Sequence, residues 1–495
     1  MTQSRSSWGE DKKRIMKFKT FGIILIFFIL TRISPYINNP VPLGYDAGLY
    51  VFSMKYFPNL PAWLMNGYWS LLFFFTWPFV HIVGITAESI VIPLAILSQI
   101  VLFFSLYFVI KKIYCGKTAL WAVLLLATSV IQFRTFWFFY IKNSLAIALL
   151  LPTLYFLHKR KLIPTIIFGS LVGMMHLPTF MILIIIMTIE ILLNIYHVIQ
   201  KNFSNYNNLF LNLISLICIL IITCLFYLPY LKQIILPFFI PIISSTIIGE
   251  VVTGNAPGSG TFYPVLTSFL LTMLYLPFSL YGFYVAIRGK NNYKPFTTAF
   301  AVCLIMVIAK FFFYQRLFII LDIFLIIFAS IGITGLSGHY KKSESILDLI
   351  RFYPLLLILF VAGFIFKTGQ PLISKEIFAE IKQFGKTHEQ VYILSTAKED
   401  SAWLMGYTDN PVIAWGYGGY DKYWEYSEWL NFFSDSTEKE KITLLKKLPH
   451  PLYIFINDKT STRLKNLIKS QCLKNESGHF YKVNCFSSKL AIIDI

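Results

Sequence analysis

Asp46 stands between two glycines and two tyrosines in Leu43-Gly44-Tyr45-Asp46-Ala47-Gly48-Leu49-Tyr50. Gly44 and Gly48 let the backbone come close to a substrate, Tyr45 and Tyr50 can line it, and apolar surroundings would raise the carboxyl group into the working range of a general base. The same pattern also suits a loop aspartate that caps a helix. Arg316, in Tyr314-Gln315-Arg316-Leu317, is the first candidate for an anion: a planar guanidinium at headgroup depth can clamp a phosphate through two hydrogen bonds. Snorkelling toward the interface, or an internal pair with Asp322, is the other reading of that residue. Arg134 and Lys142 are further candidates of the same kind, with Lys232 and Lys310 behind them. His176, in Gly173-Met174-Met175-His176-Leu177-Pro178-Thr179, sits where Pro178 helps break a helix, and reads either as a site residue or as a hydrogen-bonded structural one. Glu250 belongs to a Gly- and Pro-rich stretch with Gly249, Gly254, Pro257, Gly258 and Gly260.

Composition restricts what can position these groups. Of 495 residues 56% are hydrophobic, 18% aromatic and only 14% charged, with a mean hydropathy of +0.65. A soluble domain carries roughly 25% charge, and a disordered chain would not hold 48 Phe and 29 Tyr. The chain therefore reads as an α-helical polytopic membrane protein. About 20 apolar residues cross a bilayer, and eleven such cores are expected, at 18–36, 88–110, 118–136, 141–157, 162–177, 179–197, 208–229, 264–287, 296–314, 317–336 and 350–367.

The net charge of +19 is concentrated in the membrane part, since the segment after Thr368 is nearly neutral. The excess bases lie in short loops rather than on a soluble face, which argues against a nucleic-acid partner. The Lys-rich N-terminus, Lys111, Lys112, Lys117, Lys159, Arg160, Lys161, Lys201, Arg288, Lys290, Lys294, Lys341, Lys342 and Arg351 fall on one side if the spans alternate. That side is then cytoplasmic. The first apolar run lacks a small-residue cleavage site and reads as a retained helix. The plasma membrane of a prokaryote is the expected location.

Two domains follow: residues 1–367 in the membrane, with long outer loops at about 37–87 and 230–263, and 368–495 as a small C-terminal α/β extracytoplasmic domain. The first loop, with Trp63, Trp69 and Trp77, reads as short interfacial helices, and the second as a mobile flap. In the C-terminal domain β-like runs at Val391–Ser395, Pro411–Trp415, Leu452–Ile456 and Leu490–Ile495 alternate with helical stretches such as Glu438–Lys447. Cys472 and Cys485 would face an oxidising side, where a disulfide and two free thiols are both open. The aromatic residues from Trp415 to Trp429 suit either a packed core or sugar stacking. No Cys/His spacing of a zinc site occurs.

The order of these motifs resembles the polyprenyl-phosphate-sugar glycosyltransferases of the GT-C superfamily, which include protein O-mannosyltransferases and lipid A aminoarabinose transferases. The resemblance rests on the early Gly44-Tyr45-Asp46, then Arg134-Thr135-Phe136-Trp137 with Lys142-Asn143, His176-Leu177-Pro178-Thr179, Tyr314-Gln315-Arg316-Leu317, and Trp403 to Ile413 near the C-terminus. It implies a GT-C-like fold and a glycosyltransferase that takes a sugar from a polyprenyl-phosphate donor to a glycan, lipid or protein acceptor on the outer face. It also implies Asp46 as the base, Arg316 with Arg134 or Lys142 on the donor phosphate, and His176 shaping the site, with the flap at Glu250 closing over it. Many members carry a second acid before the fourth span. Phe138-Phe139-Tyr140 stands there instead, which disfavours a divalent metal, and no other cofactor is expected. One base suffices in principle, because a phosphate can leave without protonation if cations stabilise it, whereas ordinary glycosidases use two carboxyl groups. A lipid-linked glycan polymerase or ligase without a carboxylate base, and a transporter or flippase, are the competing functions. Transporters tend to show internal repeats, and none is seen in this sequence. Asp46 and Arg316 are expected to converge on one cavity.

Overall fold

The computed structural model describes residues 4–37, 39–200, 206–232, 262–289, 294–311, 313–339, 344–414, 423–434, 436–457, 460 and 464–485. In chain order the first helices are α1 (Ser4–Ile33), α2 (Asp46–Tyr56), α3 (Ala62–Tyr68), α4 (Leu71–Trp77), α5 (Ala87–Ile113), α6 (Gly116–Thr128), α7 (Val130–Trp137) and α8 (Ile141–His158). Then come α9 (Leu162–Met175), α10 (Leu177–Ile199), α11 (Tyr206–Tyr227), α12 (Val265–Thr272), α13 (Leu276–Arg288), α14 (Lys294–Ile308), α15 (Tyr314–His339) and α16 (Glu344–Thr368). The chain divides into two compact units, one of Met1–Ile37, Ser70–Leu72 and Pro93–Gln370, the other of Asn38–Trp69, Phe73–Ile92 and Pro371–Ile495.

The first unit is the apolar helical bundle, as expected. Each predicted core falls on a helix or a bent helix pair, but fewer than eleven are long enough to cross as spans. Among the described residues seven helices are long and apolar enough to cross a membrane, namely α1, α5, α8, α10, α11, α15 and α16. Two bent pairs, α6 with α7 at 54° and α12 with α13 at 84°, would bring the count to nine. The shorter α9 and α14 fall below the ~20 residues a helical crossing takes. Both bends have local causes. Ser129 is extended between α6 and α7 and caps α7 by accepting from the Gln132 amide, and Pro277 stands in the first turn of α13. Close packing by small residues holds the bundle where hydrophobicity cannot discriminate. A Cβ at Gly282 would lie 1.8 Å from the Phe328 carbonyl oxygen, and one at Gly332 2.2 Å from that of Phe278, so α13 and α15 cross backbone to backbone.

Arg32, near the end of α1, is fully buried. Its guanidinium lies 4.5 Å from the ring centre of Phe28 and 5.6 and 6.0 Å from those of Phe133 and Phe136 on α7. One nitrogen donates to the Thr31 hydroxyl, while Nε and the other Nη have no hydrogen-bond partner among the described residues. The rings supply the attraction that a carboxylate would otherwise give.

The second unit joins α2, α3 and most of α4 to the C-terminal α/β fold. The latter runs α17 (Lys375–Thr387), β1 (Tyr392–Ser395), α18 (Lys398–Thr408), β2 (Val412–Ala414), α19 (Tyr426–Phe433), α20 (Glu438–Leu445), β3 (Leu452–Phe455), α21 (Lys465–Ile468), β4 (Leu473–Ser477) and β5 (Phe480–Val483). The sheet order is β2-β1-β3-β5-β4, with β1 parallel to both β2 and β3 and β5 antiparallel to β3 and β4. The three parallel strands are the expected apolar runs, buried on both faces as parallel strands are. The expected run at Leu490–Ile495 and residues 415–422 lie outside the described residues. Trp424 and Trp429 are core residues of this domain. Cys472 and Cys485 form a disulfide, with Cα atoms 4.6 Å apart, at the base of the β4–β5 hairpin.

The segment after α1 forms short helices, as read from the sequence, and α2 is fixed on α18. A Cβ at Gly48 would lie 1.9 Å from the Ala402 carbonyl oxygen, and Gly406 meets the Gly48 backbone in the same crossing. At the other end of α2, Lys55 donates to the Gly406 carbonyl at 3.0 Å and pairs with Asp409 at 2.8 Å and Glu88 at 3.3 Å, while Lys382 holds the second Glu88 oxygen at 2.9 Å. Gly48→Ala is expected to lower stability by about 1–3 kcal/mol, the usual range for overpacking. Thermal unfolding of the purified protein measures it, and Gly67→Ala, where an added Cβ meets nothing within 4 Å, serves as the neutral control.

Candidate functional site

The cations singled out in the sequence come together in the helical bundle. Arg134 is on α7, and its guanidinium lies 3.5 Å from the Trp137 ring centre, 4.5 Å from that of Phe138 and 5.3 Å from that of Tyr263. Arg316, in the first turn of α15, lies 4.7 Å from the Tyr140 ring centre and 5.8 Å from that of Phe313. Phe138 and Tyr140 stack on each other at 5.3 Å with planes 10° apart, so one pair of rings links the two guanidinium groups. Phe262 covers both rings, at 6.1 and 6.4 Å. Lys142 is buried in the first turn of α8, and the charges of Lys142 and Arg316 act on His176. His176 caps α10, its Nδ1 2.9 Å from the Thr179 hydroxyl and accepting from the Thr179 amide. Ser70 donates to the neighbouring Met175 carbonyl at 2.8 Å.

The turns that present these cations are of one kind. After α7 the Tyr140 amide reaches back to Thr135 at 3.1 Å, with Phe139 left-handed at φ 63°. After α14 the Phe311 amide reaches back to Met306 at 2.8 Å, with Lys310 at φ 53°, and Phe313 follows at φ 55°. This is the helix stop that normally takes glycine. Side chains with a Cβ cost about 1–2 kcal/mol in that conformation, and such outliers gather at functional sites. Here they place the rings of Tyr140 and Phe313 beside Arg316. The sequence reading noted Phe138-Phe139-Tyr140 only for the acid it lacks, since no residue type in it signals a left-handed turn.

Asp322 is fully buried on α15. It takes hydrogen bonds from Ser129 Oγ at 2.8 Å and Gln132 Nε2 at 2.9 Å, and from the Tyr275 hydroxyl. Asp322, the alternative partner read for Arg316, is thus held by three neutral donors from two helix breaks. Lys310 lines an apolar groove of about 430 Å³ with Pro264, Val265, Leu266, Phe269, Tyr314 and Gln315. Among the described residues no three His, Cys, Asp or Glu side chains group as metal ligands do.

Asp46, Tyr45 and Tyr50 belong to the other unit. Asp46 is the first residue of α2 and half-buried, with Tyr45 in the capping position. The unpaired amide groups at a helix start favour an anion there. Tyr50 is buried, its ring edge-on to Tyr68 at 5.6 Å and 5.9 Å from Phe73. Glu88, the other acid of this region, is held by Lys55 and Lys382. Glu250 and most of the expected flap, residues 233–261, lie outside the described residues.

No family model and no curated protein matches the chain in sequence. Solved structures match in fold. The archaeal oligosaccharyltransferase AglB from Archaeoglobus fulgidus, in complex with an inhibitory peptide and a dolichol-phosphate, superposes with a TM-score of 0.61 at 12% identity, over 90% of this chain and 70% of that one. ArnT from Cupriavidus metallidurans, bound to undecaprenyl phosphate, gives 0.57 at 10% identity, over 99% of this chain and 100% of that one. The chain has the GT-C fold. At such identity the GT-C fold is what the likeness shows, and the chemistry rests on the residues above.

The ring pair between the guanidinium groups makes a measurable prediction. A double-mutant cycle of Arg316→Met and Tyr140→Leu in thermal unfolding is expected to give a coupling of about 0.5–2 kcal/mol. The more exposed pair of Arg288 and Tyr284, 4.4 Å from charge centre to ring centre, should fall at or below the lower end of that range.

Proposed function

We propose that the protein is an inverting glycosyltransferase that moves a sugar from a polyprenyl-phosphate donor to an acceptor on the extracytoplasmic face of a membrane. The observation that carries the reading is the cluster of Arg134, Lys142 and Arg316 beside His176, set among aromatic rings in a helical bundle of GT-C fold. The Nε of Arg134 has no hydrogen-bond partner among the described residues, and positive charge so placed fits a phosphate better than a neutral sugar. The apolar groove beside Lys310, Tyr314 and Gln315 suits the first isoprene units of the carrier. The solved relatives of this fold include one with a dolichol-phosphate and one with undecaprenyl phosphate.

The chemistry follows from the leaving group. The bond from the anomeric carbon to the phosphate oxygen breaks with its electron pair moving onto the phosphate. A second phosphate pKa of about 6 means the departing oxygen needs no proton. Guanidinium and ammonium groups preorganised around it stabilise the charge as it develops. The acceptor hydroxyl attacks from the opposite face and inverts the anomeric centre. Asp46, the proposed base, takes its proton, and Tyr45 and Tyr50 shape the acceptor side.

The acceptor class, the sugar and the length of the carrier are to be read from the cell. Mass spectrometry of lipid intermediates from cells lacking the protein is expected to show a polyprenyl-phosphate sugar that accumulates, and its absence would count against the assignment. With that donor in hand, Asp46→Asn should lower kcat about 10²–10⁴-fold at normal expression. Arg316→Ala should cost about 10²–10³-fold. Activity that survives loss of Asp46 but not of Arg316 would instead point to a lipid-linked glycan polymerase or ligase.

A further inference from the structure

Asp322 is a fully buried acid of the bundle that the reaction above does not use. Its carboxylate joins three elements of the cation site. Ser129, one donor, is the cap of α7, and Gln132, the second, lies in the first turn of α7, which goes on to Arg134. Gln132 Nε2 also donates to the Ile319 carbonyl of α15 at 3.1 Å. Tyr275, the third donor, precedes α13 at the 84° break after α12. The segment leading into α12 carries Phe262 and Tyr263, whose rings lie against Phe138, Tyr140 and Arg134. Asp322 itself stands six residues after Arg316 on α15. The two breaks are the places where α7 and α12 would hinge, and both are latched to the same side chain.

A buried carboxylate inside an apolar bundle is expensive to keep unless its hydrogen bonds are all made. Three donors on one carboxylate meet that demand, and bonds to a charged acceptor are the strong ones. We infer that Asp322 is a positioning residue: it fixes α7 and α12 to α15, and thereby sets how Arg134 and Arg316 face one phosphate. This rests on the phosphate reading given above. Removal of the charge would leave each guanidinium in place on its own helix but release the geometry between them, so anion affinity would fall before the fold is lost.

The experiment uses the full purified chain in detergent micelles with undecaprenyl phosphate as the probe. Asp322→Asn is expected to weaken binding at least about ten-fold, the loss typical of a hydrogen bond to a charged group. Amide hydrogen exchange should rise in 130–137 and 265–272, with α10 and α11 unchanged. Gln132→Leu, which removes the donor at 2.9 Å while keeping Asp322, is expected to weaken binding in the same direction and to raise exchange in 130–137. Wild-type affinity in Asp322→Asn, unchanged exchange in both segments, or wild-type affinity in Gln132→Leu despite raised exchange in 130–137 each overturns the inference. Failure of the wild-type protein, or insensitivity of Arg316→Ala, would strike the carrier reading alone, since the exchange arm reports on the latch without any ligand.

Discussion

Positive charge held inside an apolar bundle is the condition on which the site depends. A guanidinium taken out of water costs several kcal/mol even after relaxation, and most proteins answer with a carboxylate. Arg32 and Arg134 are answered with rings, Phe28, Phe133 and Phe136 for the first and Trp137, Phe138 and Tyr263 for the second. Cation–π attraction of about 0.5–2 kcal/mol per contact offsets part of the desolvation. It leaves the net charge in place. The two sides of α7 differ accordingly: Phe133 and Phe136 close over the fully buried Arg32, whereas Arg134 on the same helix keeps part of its surface open.

The second unit shows the contrasting solution for an acid. Asp46 starts a helix whose backbone crosses α18 through Gly48 and Gly406, positions where a Cβ would have no room. The far end of α2 is fixed by Lys55, shared between Asp409 and Glu88. Exposed ion pairs of this kind contribute little singly, but here they sit beside a backbone crossing that permits one register only. The base candidate is thus held by the C-terminal domain, and its precision comes from glycine packing rather than from charge.

Much of this was legible in the sequence, for reasons of length and period. Helical spans announce themselves by apolar run length, and buried parallel strands such as Leu452–Phe455 by short β-branched and aromatic runs, so the bundle and the α/β domain were both read. The hairpin strands were missed because Leu473–Ser477 is polar beyond its first residue, as an exposed edge strand is. The count of eleven crossings is not confirmed among the described residues, because hydropathy does not distinguish a full span from the shorter α9 or α14, nor show the bend at Ser129. Arg134, Lys142, Arg316 and His176 were singled out as candidates from their place at helix ends and from the family resemblance. The partners of Asp322 were not, since Ser129, Gln132 and Tyr275 come from two breaks far apart in sequence and no local pattern ties them together.

An acid and a cluster of cations make opposite demands on their surroundings. A carboxylate set among Arg134, Lys142 and Arg316 would be held ionised by its neighbours, which weakens it as a base, and its oxygens would occupy the place a phosphate needs. Asp322, six residues after Arg316 on α15, has three neutral donors of its own instead. Asp46 is carried on an element with its own scaffold, α2 crossing α18 at Gly48 and Gly406. The same logic accounts for Phe138-Phe139-Tyr140 in the turn before α8. Rings there lie against both guanidinium groups without neutralising either, whereas an acid in that turn would pair with Arg134 or Arg316.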